Sequence, residues 1–341
     1  MKNRFPYQEV LPLIKLLLDP KRIVITTHHK PDGDAMGSSL GLYNYLLAKG
    51  HHVTVVVPSD YPDFLEWMPG NHTVIEYPKA KEQCKQLFND AEILFCLDFN
   101  QPNRVEEMEA DMLASKAIKV LIDHHLHPQA FCDHTFSYPL ACATAELVYQ
   151  FIVSMDDKTL INKAVADCLY TGIMTDTNSF RFETMTADTH RTIAGLMDAG
   201  AANYVIHENV YDNFSYDRMK MVGFSLFHRL VMVPEFKTAY ISLSQEDLKQ
   251  FKSTTGDTEG VVNLALSIKD VKLAAFFYET PHLVKISLRS KGVFSVKEVA
   301  QAHFQGGGHR NAAGGKSFTS IDDAIKKFLS ILPDYKHELL K

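Results

Sequence analysis

Apolar residues follow two spacings along the first half of the chain. Unbroken apolar runs at residues 23–27, 53–57, 93–97 and 119–122 predict buried strands, because a strand covered on both faces need not alternate with polar residues. Stretches with apolar positions every three or four residues predict helices over 35–49, 143–153, 162–174 and 186–199. Gly50 and Gly200 stand just past two of them as stop signals. Gly37 and Gly41 lie one helical turn apart and would let a second backbone approach closely. Strand–helix alternation of this kind predicts an α/β fold with a mostly parallel sheet flanked by helices.

The pattern changes after Gly200. Residues 203–217 are polar and aromatic and read as a connector. Beyond them a helix is expected over 219–230, strands over 238–243, 272–278 and 283–288, and helices around Val261, Val296 and Ile321. The expected organisation is a first domain over residues 1–200, a linker over 201–220 and a smaller α+β domain over 221–341.

Strand placement changes the meaning of the charged residues. In an open parallel sheet, ligands bind beyond the carboxyl ends of the strands. His28, Asp32 and Asp34 follow the first predicted strand, Asp98 closes the third, and Asp123, His124 and His125 close the fourth. Asp176 ends a helical stretch. Any one of these alone reads as a helix cap or a turn residue. Together they are carboxylates and imidazoles that repel or strain one another unless a cation sits among them. Oxygen-rich ligation with some imidazole suits Mn(II) first and Mg(II) second. Enough ligands are present for two ions, which in such sites lie about 3.5–4 Å apart.

Composition narrows the class. Of 341 residues, 46% are hydrophobic and 22% charged, enough for substantial cores and against wholesale disorder. The net charge of -6 argues against coating long nucleic acid and leaves room for a short phosphorylated ligand in a local basic pocket. The 5 cysteines form no C-x-x-C pair, as expected of free thiols in a reducing compartment. The N-terminus lacks a signal-peptide core and no apolar run is long enough for a bilayer, so a cytoplasmic protein without a membrane partner is expected.

The ordered set His28, Pro31, Asp32, Asp34, then Asp98, then Asp123, His124 and His125, then Asp176 resembles the DHH phosphoesterase superfamily. That superfamily includes RecJ-like nucleases, family II inorganic pyrophosphatases and the small nanoRNase/pAp phosphatases, to which this chain is most similar. The resemblance continues in Ser287, Leu288, Arg289, Ser290 and Lys291, and in the run from Gly306 through Gly314, which looks like the DHH-associated C-terminal domain. It implies that His28, Asp32 and Asp98 hold one metal and that Asp34, Asp98, His124 and Asp176 hold the other, with Asp98 bridging. It further implies that His125 faces the scissile phosphate and that Asp123 orients a histidine. Two positions depart from many relatives: Asn178 stands in place of glycine, and Cys142 lies in a stretch usually rich in serine. They bear on substrate preference rather than on metal binding.

Gly306, Gly307 and Gly308 lack Cβ atoms, so their backbone could turn tightly and present consecutive N–H groups to an anion. His309 and Arg310 add donors, and Arg289 adds a planar fork suited to phosphate. With Ser290 these are the expected substrate-binding residues. The expected activity is hydrolysis of short single-stranded RNA or DNA and of pAp, by two-metal activation of a bridging hydroxide. The alternatives are pApA or cyclic dinucleotides, pyro- or polyphosphate, and a non-catalytic nucleic-acid-binding module. The last should lack a ligand, and none is missing. A homodimer is compatible with all of these.

Overall fold

The computed structural model describes residues 4–341, which divide into two compact units, one ending at Asn213 and the other Phe214–Lys341. The first unit is built on six strands: β1 (Arg22–Thr26), β2 (His52–Val57), β3 (Ile75–Glu76), β4 (Ile93–Leu97), β5 (Ile118–Asp123) and β6 (His134–Ser137). All pair in parallel, in the order β3-β2-β1-β4-β5-β6. Its helices are α1 (Tyr7–Leu16), α2 (Gly33–Ala48), α3 (Lys81–Asp90), α4 (Glu109–Ala114), α5 (Thr144–Ser154), α6 (Lys163–Asp176), α7 (Ala187–Asp198) and α8 (Asn203–Tyr211).

The central strands are buried on both faces, as their unbroken apolar runs require: every residue of β4 is buried. One face packs against Met36, Leu40, Leu147, Phe151, Leu169 and Ile173 of α2, α5 and α6. The other packs against Cys84 and Phe88 of α3 and Met112 of α4. A Cβ on Gly37 would lie 2.6 Å from the Cys168 carbonyl oxygen and 2.7 Å from the Gly172 nitrogen, so α2 and α6 touch backbone to backbone. A Cβ on Gly41 would lie 2.4 Å from Leu169. This is the close approach that the glycine spacing predicts.

The second unit is a mixed sheet of β7 (Leu230–Val233), β8 (Thr238–Leu243), β9 (Leu273–Glu279), β10 (Val284–Ser290), β11 (Gly307–Gly308) and β12 (Ala312–Ser317), in the order β11-β12-β10-β9-β8-β7. Only β8 and β9 pair in parallel. Its helices are α9 (Tyr216–Phe224), α10 (Gln245–Gln250), α11 (Val261–Leu266), α12 (Val296–His303), α13 (Ile321–Ile331) and α14 (Lys336–Leu340). Strand β9 shows the period of two: Leu273, Ala275 and Phe277 join the core under α12 and α13, while Ala274 and Phe276 join the one under α9 and α11.

Residues 203–217 correct the expected connector. Asn203–Tyr211 is helical, and its Ile206 and Val210 are buried in the core of the first unit. Polar residues dominate the segment, yet two apolar side chains one turn apart suffice to dock it. All five cysteines are free thiols, four of them buried. No helix among the described residues is long and apolar enough to cross a membrane.

Candidate metal centre

The strand order reverses between β1 and β4, and a crevice opens beyond the carboxyl ends at such a point. His28 leaves β1, Asp98 leaves β4, Asp123 ends β5 and His124 follows it. Asp34 lies in the first turn of α2 and Asp176 is the last residue of α6, so the glycine contact between those helices brings the two carboxylates to the same rim.

Two groups result. His28, Asp32 and Asp98 place one ligand atom each within 4.8 Å of one another, and so do Asp34, His124 and Asp176. Asp98 faces both. Its Oδ2 lies 3.6 Å from His28 Nε2, and its Oδ1 lies 3.5 Å from His124 Nε2. His124 Nε2 is also 3.6 Å from Asp176 and 3.9 Å from Asp34. The backbone of Asp98 is left-handed, with φ 64°, a costly conformation for a residue with a side chain and one that collects at functional sites.

Each histidine is held through Nδ1. That nitrogen donates to the His29 carbonyl in His28 (3.0 Å) and to the Ala141 carbonyl in His124 (3.2 Å). Nε2 is thereby the nitrogen that carries the lone pair in the neutral ring and points at the carboxylates. In His125, Nδ1 donates to Asp123 at 2.8 Å, so Asp123 orients that ring. The rings of His124 and His125 stand 4.9 Å apart at 76°, pointing the two adjacent side chains in different directions.

Asp32 caps the start of α2 and also faces His28. Its Oδ1 caps α2, accepting from the N–H groups of Asp34 (3.0 Å) and Ala35 (3.1 Å), and it lies 3.8 Å from His28 Nε2. Asp34 accepts from the N–H groups of Thr144 (2.6 Å) and Ala145 (2.9 Å). No feature of residues 141–145 marked them as part of this centre. The available signal was a helix start whose N-cap, Ala143, has no capping side chain, so the first N–H groups of α5 needed an acceptor from elsewhere.

The electrostatics are those of a cluster short of positive charge. Burial pushes the Asp34 carboxyl well above its ordinary range, and the neighbouring charges of Asp98, Asp176 and Asp32 push it further. Burial also raises Asp176, to about 6, with His124 opposing and Asp32 and Asp98 adding. Burial alone would lower His28, but the hydrogen bonds and charges of Asp32 and Asp98 outweigh it and take the imidazole up to about 10. Asp98 goes the other way: burial would raise it, and the three histidines hold it well below the carboxylate range. Asp123 Oδ2 is buried without a hydrogen-bond partner. Hard carboxylate oxygens and imidazole nitrogens crowded in this way fit hard divalent cations, which would replace the protons the cluster otherwise holds.

The chain carries two family signatures. Residues 22–173 match the DHH family N-terminal domain, and residues 236–337 match the DHHA1 domain. An exopolyphosphatase-related protein from Bacteroides fragilis is 38% identical and superposes with a TM-score of 0.94, over 98% of either chain. The chain belongs to the DHH family. Among other DHH relatives, a bifunctional oligoribonuclease and PAP phosphatase of Thermus thermophilus is 29% identical over 310 residues, 90% of this chain and 88% of that protein. RecJ of Thermus thermophilus, solved with Mn2+, shares the fold at a TM-score of 0.53 and 13% identity, over 97% of this chain and 55% of that one.

In the DHHA1 unit the glycine run forms a short edge strand. Gly307 and Gly308 pair with Gly314 and Ala313 of β12. The Gly306 N–H donates to the Ala300 carbonyl (3.1 Å) and the His309 N–H to that of Ala312 (2.7 Å). A Cβ on Gly306 would lie 2.0 Å from the Gly314 carbonyl oxygen, and Gly308 has φ 140°, so these glycines permit close backbone pairing. Ser290 is also turned inward: its hydroxyl donates to the Phe294 carbonyl at 2.7 Å and accepts from Asn311 at 2.9 Å. Arg289 lies on β10 opposite Ala312, beside the turn that carries His309 and the exposed Arg310.

Proposed function

We propose that this protein is a metal-dependent phosphoesterase that hydrolyses short oligonucleotides and pAp, with its metals held by His28, Asp32, Asp34, Asp98, His124 and Asp176. The observation that carries it is Asp98, whose two oxygens face the two ligand groups separately. Two divalent ions bound there, Mn(II) first and Mg(II) second, would lower the pKa of water and neutralise charge on a phosphoryl group. Asp98 would be shared between the ions, and the Nδ1 bonds of His28 and His124 would keep Nε2 turned toward them. His125, held by Asp123 and more exposed than His124, would donate to the scissile phosphate. In the second unit, Arg289, His309 and Arg310 would bind phosphate. That role favours small substrates with an end phosphate, and it accords with the activities for which the Thermus relative is named.

The test is turnover of pAp, pApA and a trinucleotide with Mn(II), with and without a chelator. Chelator-sensitive release of phosphate or mononucleotide is expected. A protein that demonstrably binds Mn(II) and turns over none of the three would leave a binding module as the function.

A further inference from the structure

Six side chains make up the proposed centre, and three of them lean on one short segment of chain. The Ala141 carbonyl accepts from His124 Nδ1 at 3.2 Å. The N–H groups of Thr144 and Ala145, the first two residues of α5, hold one oxygen each of Asp34, at 2.6 and 2.9 Å. The Thr144 hydroxyl donates to Asp98 Oδ1 at 2.8 Å. Thr144 alone thus holds two carboxylates, one through its backbone and one through its side chain, and it is fully buried. The segment is itself fixed from behind. Glu146, also fully buried, accepts from the Cys142 N–H at 3.2 Å, from Arg4 at 2.8 Å and from the Thr189 hydroxyl at 3.0 Å.

The hydroxyl matters because Asp98 must divide its oxygens. Oδ2 faces His28, while Oδ1 faces His124 and His125. A rotation about the carboxylate bond would cost little on its own, since terminal torsions of this kind are broad. The Thr144 hydroxyl bonds the oxygen on the His124 side and so restrains the tilt of the carboxylate between the two groups.

We propose that Thr144 is a positioning residue that orients Asp98 and Asp34 for metal binding, through its hydroxyl and its N–H respectively. The proposal rests on the metal-site reading above. Removing partners of this kind weakens metal affinity by about 10–100-fold.

Thr144→Val deletes the hydroxyl and keeps the N–H. Its Mn(II) affinity, read by calorimetry on the full chain, is expected to fall about tenfold or more. The kcat for bis-p-nitrophenyl phosphate should fall at limiting Mn(II) and recover as Mn(II) is raised, with KM unchanged. Thr144→Ser keeps the donor and is expected to bind Mn(II) close to wild type. If the valine variant does not fold, Thr144→Ala removes the same hydroxyl without placing a methyl where the oxygen stood. Wild-type Mn(II) affinity in a folded, hydroxyl-less variant overturns the positioning role and leaves the metal site standing. A wild-type protein that takes up no Mn(II) overturns both.

Discussion

The rim of the first unit reads in sequence as a metal site and the glycine edge of the second as a phosphate site, and they differ in what their polar groups do. At the rim, buried carboxylates face one another with only imidazoles for counter-charge, and Asp34 is driven toward its protonated form. Those groups form candidate ligand sets for a cation. At the glycine edge, Gly306 and His309 give their N–H groups to carbonyls, and Ser290 bonds Phe294 and Asn311. Those groups are engaged within the unit, whereas the side chains of Arg289 and Arg310 offer guanidinium donors suited to phosphate. The rim carboxylates also accept hydrogen bonds, so the difference lies in charge: a buried cluster of carboxylates without enough counter-charge suits a cation, and a neutral hydrogen-bonded edge does not.

The largest effect that would break this contrast is at Asp98. Asp98→Ala is expected to reduce hydrolysis to background and to remove Mn(II) binding from both groups, because each loses a shared oxygen. Near-normal turnover in that variant would end the assignment of Asp98 as a bridge.

In the second unit, Arg289→Ala should raise KM for pAp while leaving bis-p-nitrophenyl phosphate unaffected. A charge-assisted hydrogen bond is worth about 1.5–3 kcal/mol, or about 10–150-fold in affinity. Ser290→Ala should do the reverse, lowering Tm with no change in KM, because its bonds are internal. A substrate effect at Ser290 equal to that at Arg289 would erase the distinction between them.

Helix contact sets the next level. Gly37→Ala puts a methyl 2.6 Å from the Cys168 carbonyl oxygen, and overpacking of this kind costs about 1–3 kcal/mol. Thermal unfolding should show a Tm lower by about 2–4 °C for each kcal/mol. Metal affinity should fall with it, since α2 and α6 carry Asp34 and Asp176. An unchanged Tm would mean that the backbone contact is not needed.

The smallest effect is the pH dependence of metal stabilisation. Without metal, folded His28 keeps its proton up to about 10, against 6.5 for the ordinary group. Its contribution to stability is therefore complete below the lower value and lost as pH rises toward the upper one. Asp34, raised in the fold, likewise favours the folded state less as pH rises through its range. A metal must displace these protons, so the Tm gain on adding Mn(II) should grow from about pH 6 to about pH 8. Calorimetry in buffers of different ionisation enthalpy would show the protons released. A gain that shrinks over that interval would contradict the proton-for-metal exchange.

The strands were legible because burial on both faces leaves an unbroken apolar run, as in β1, β4 and β5. The short β3 and β6 escaped because two to four residues carry too little pattern. The strands β11 and β12 escaped because glycine and alanine have almost no side chain to alternate. Helix α8 escaped because only Ile206 and Val210 anchor it.

By itself the sequence supplied the candidate ligands and their order along the chain, since carboxylates and imidazoles gathered at strand ends stand out together; their division between two metals was implied by the resemblance. The sequence also determined the glycines that let α2 meet α6. The tertiary structure decided how the Asp98 carboxylate is turned between the two groups, that Asp34 caps a helix to which it does not belong, and that Thr144 stands between the two carboxylates. Those facts depend on hydrogen bonds between residues as many as 111 positions apart, and no local pattern encodes them.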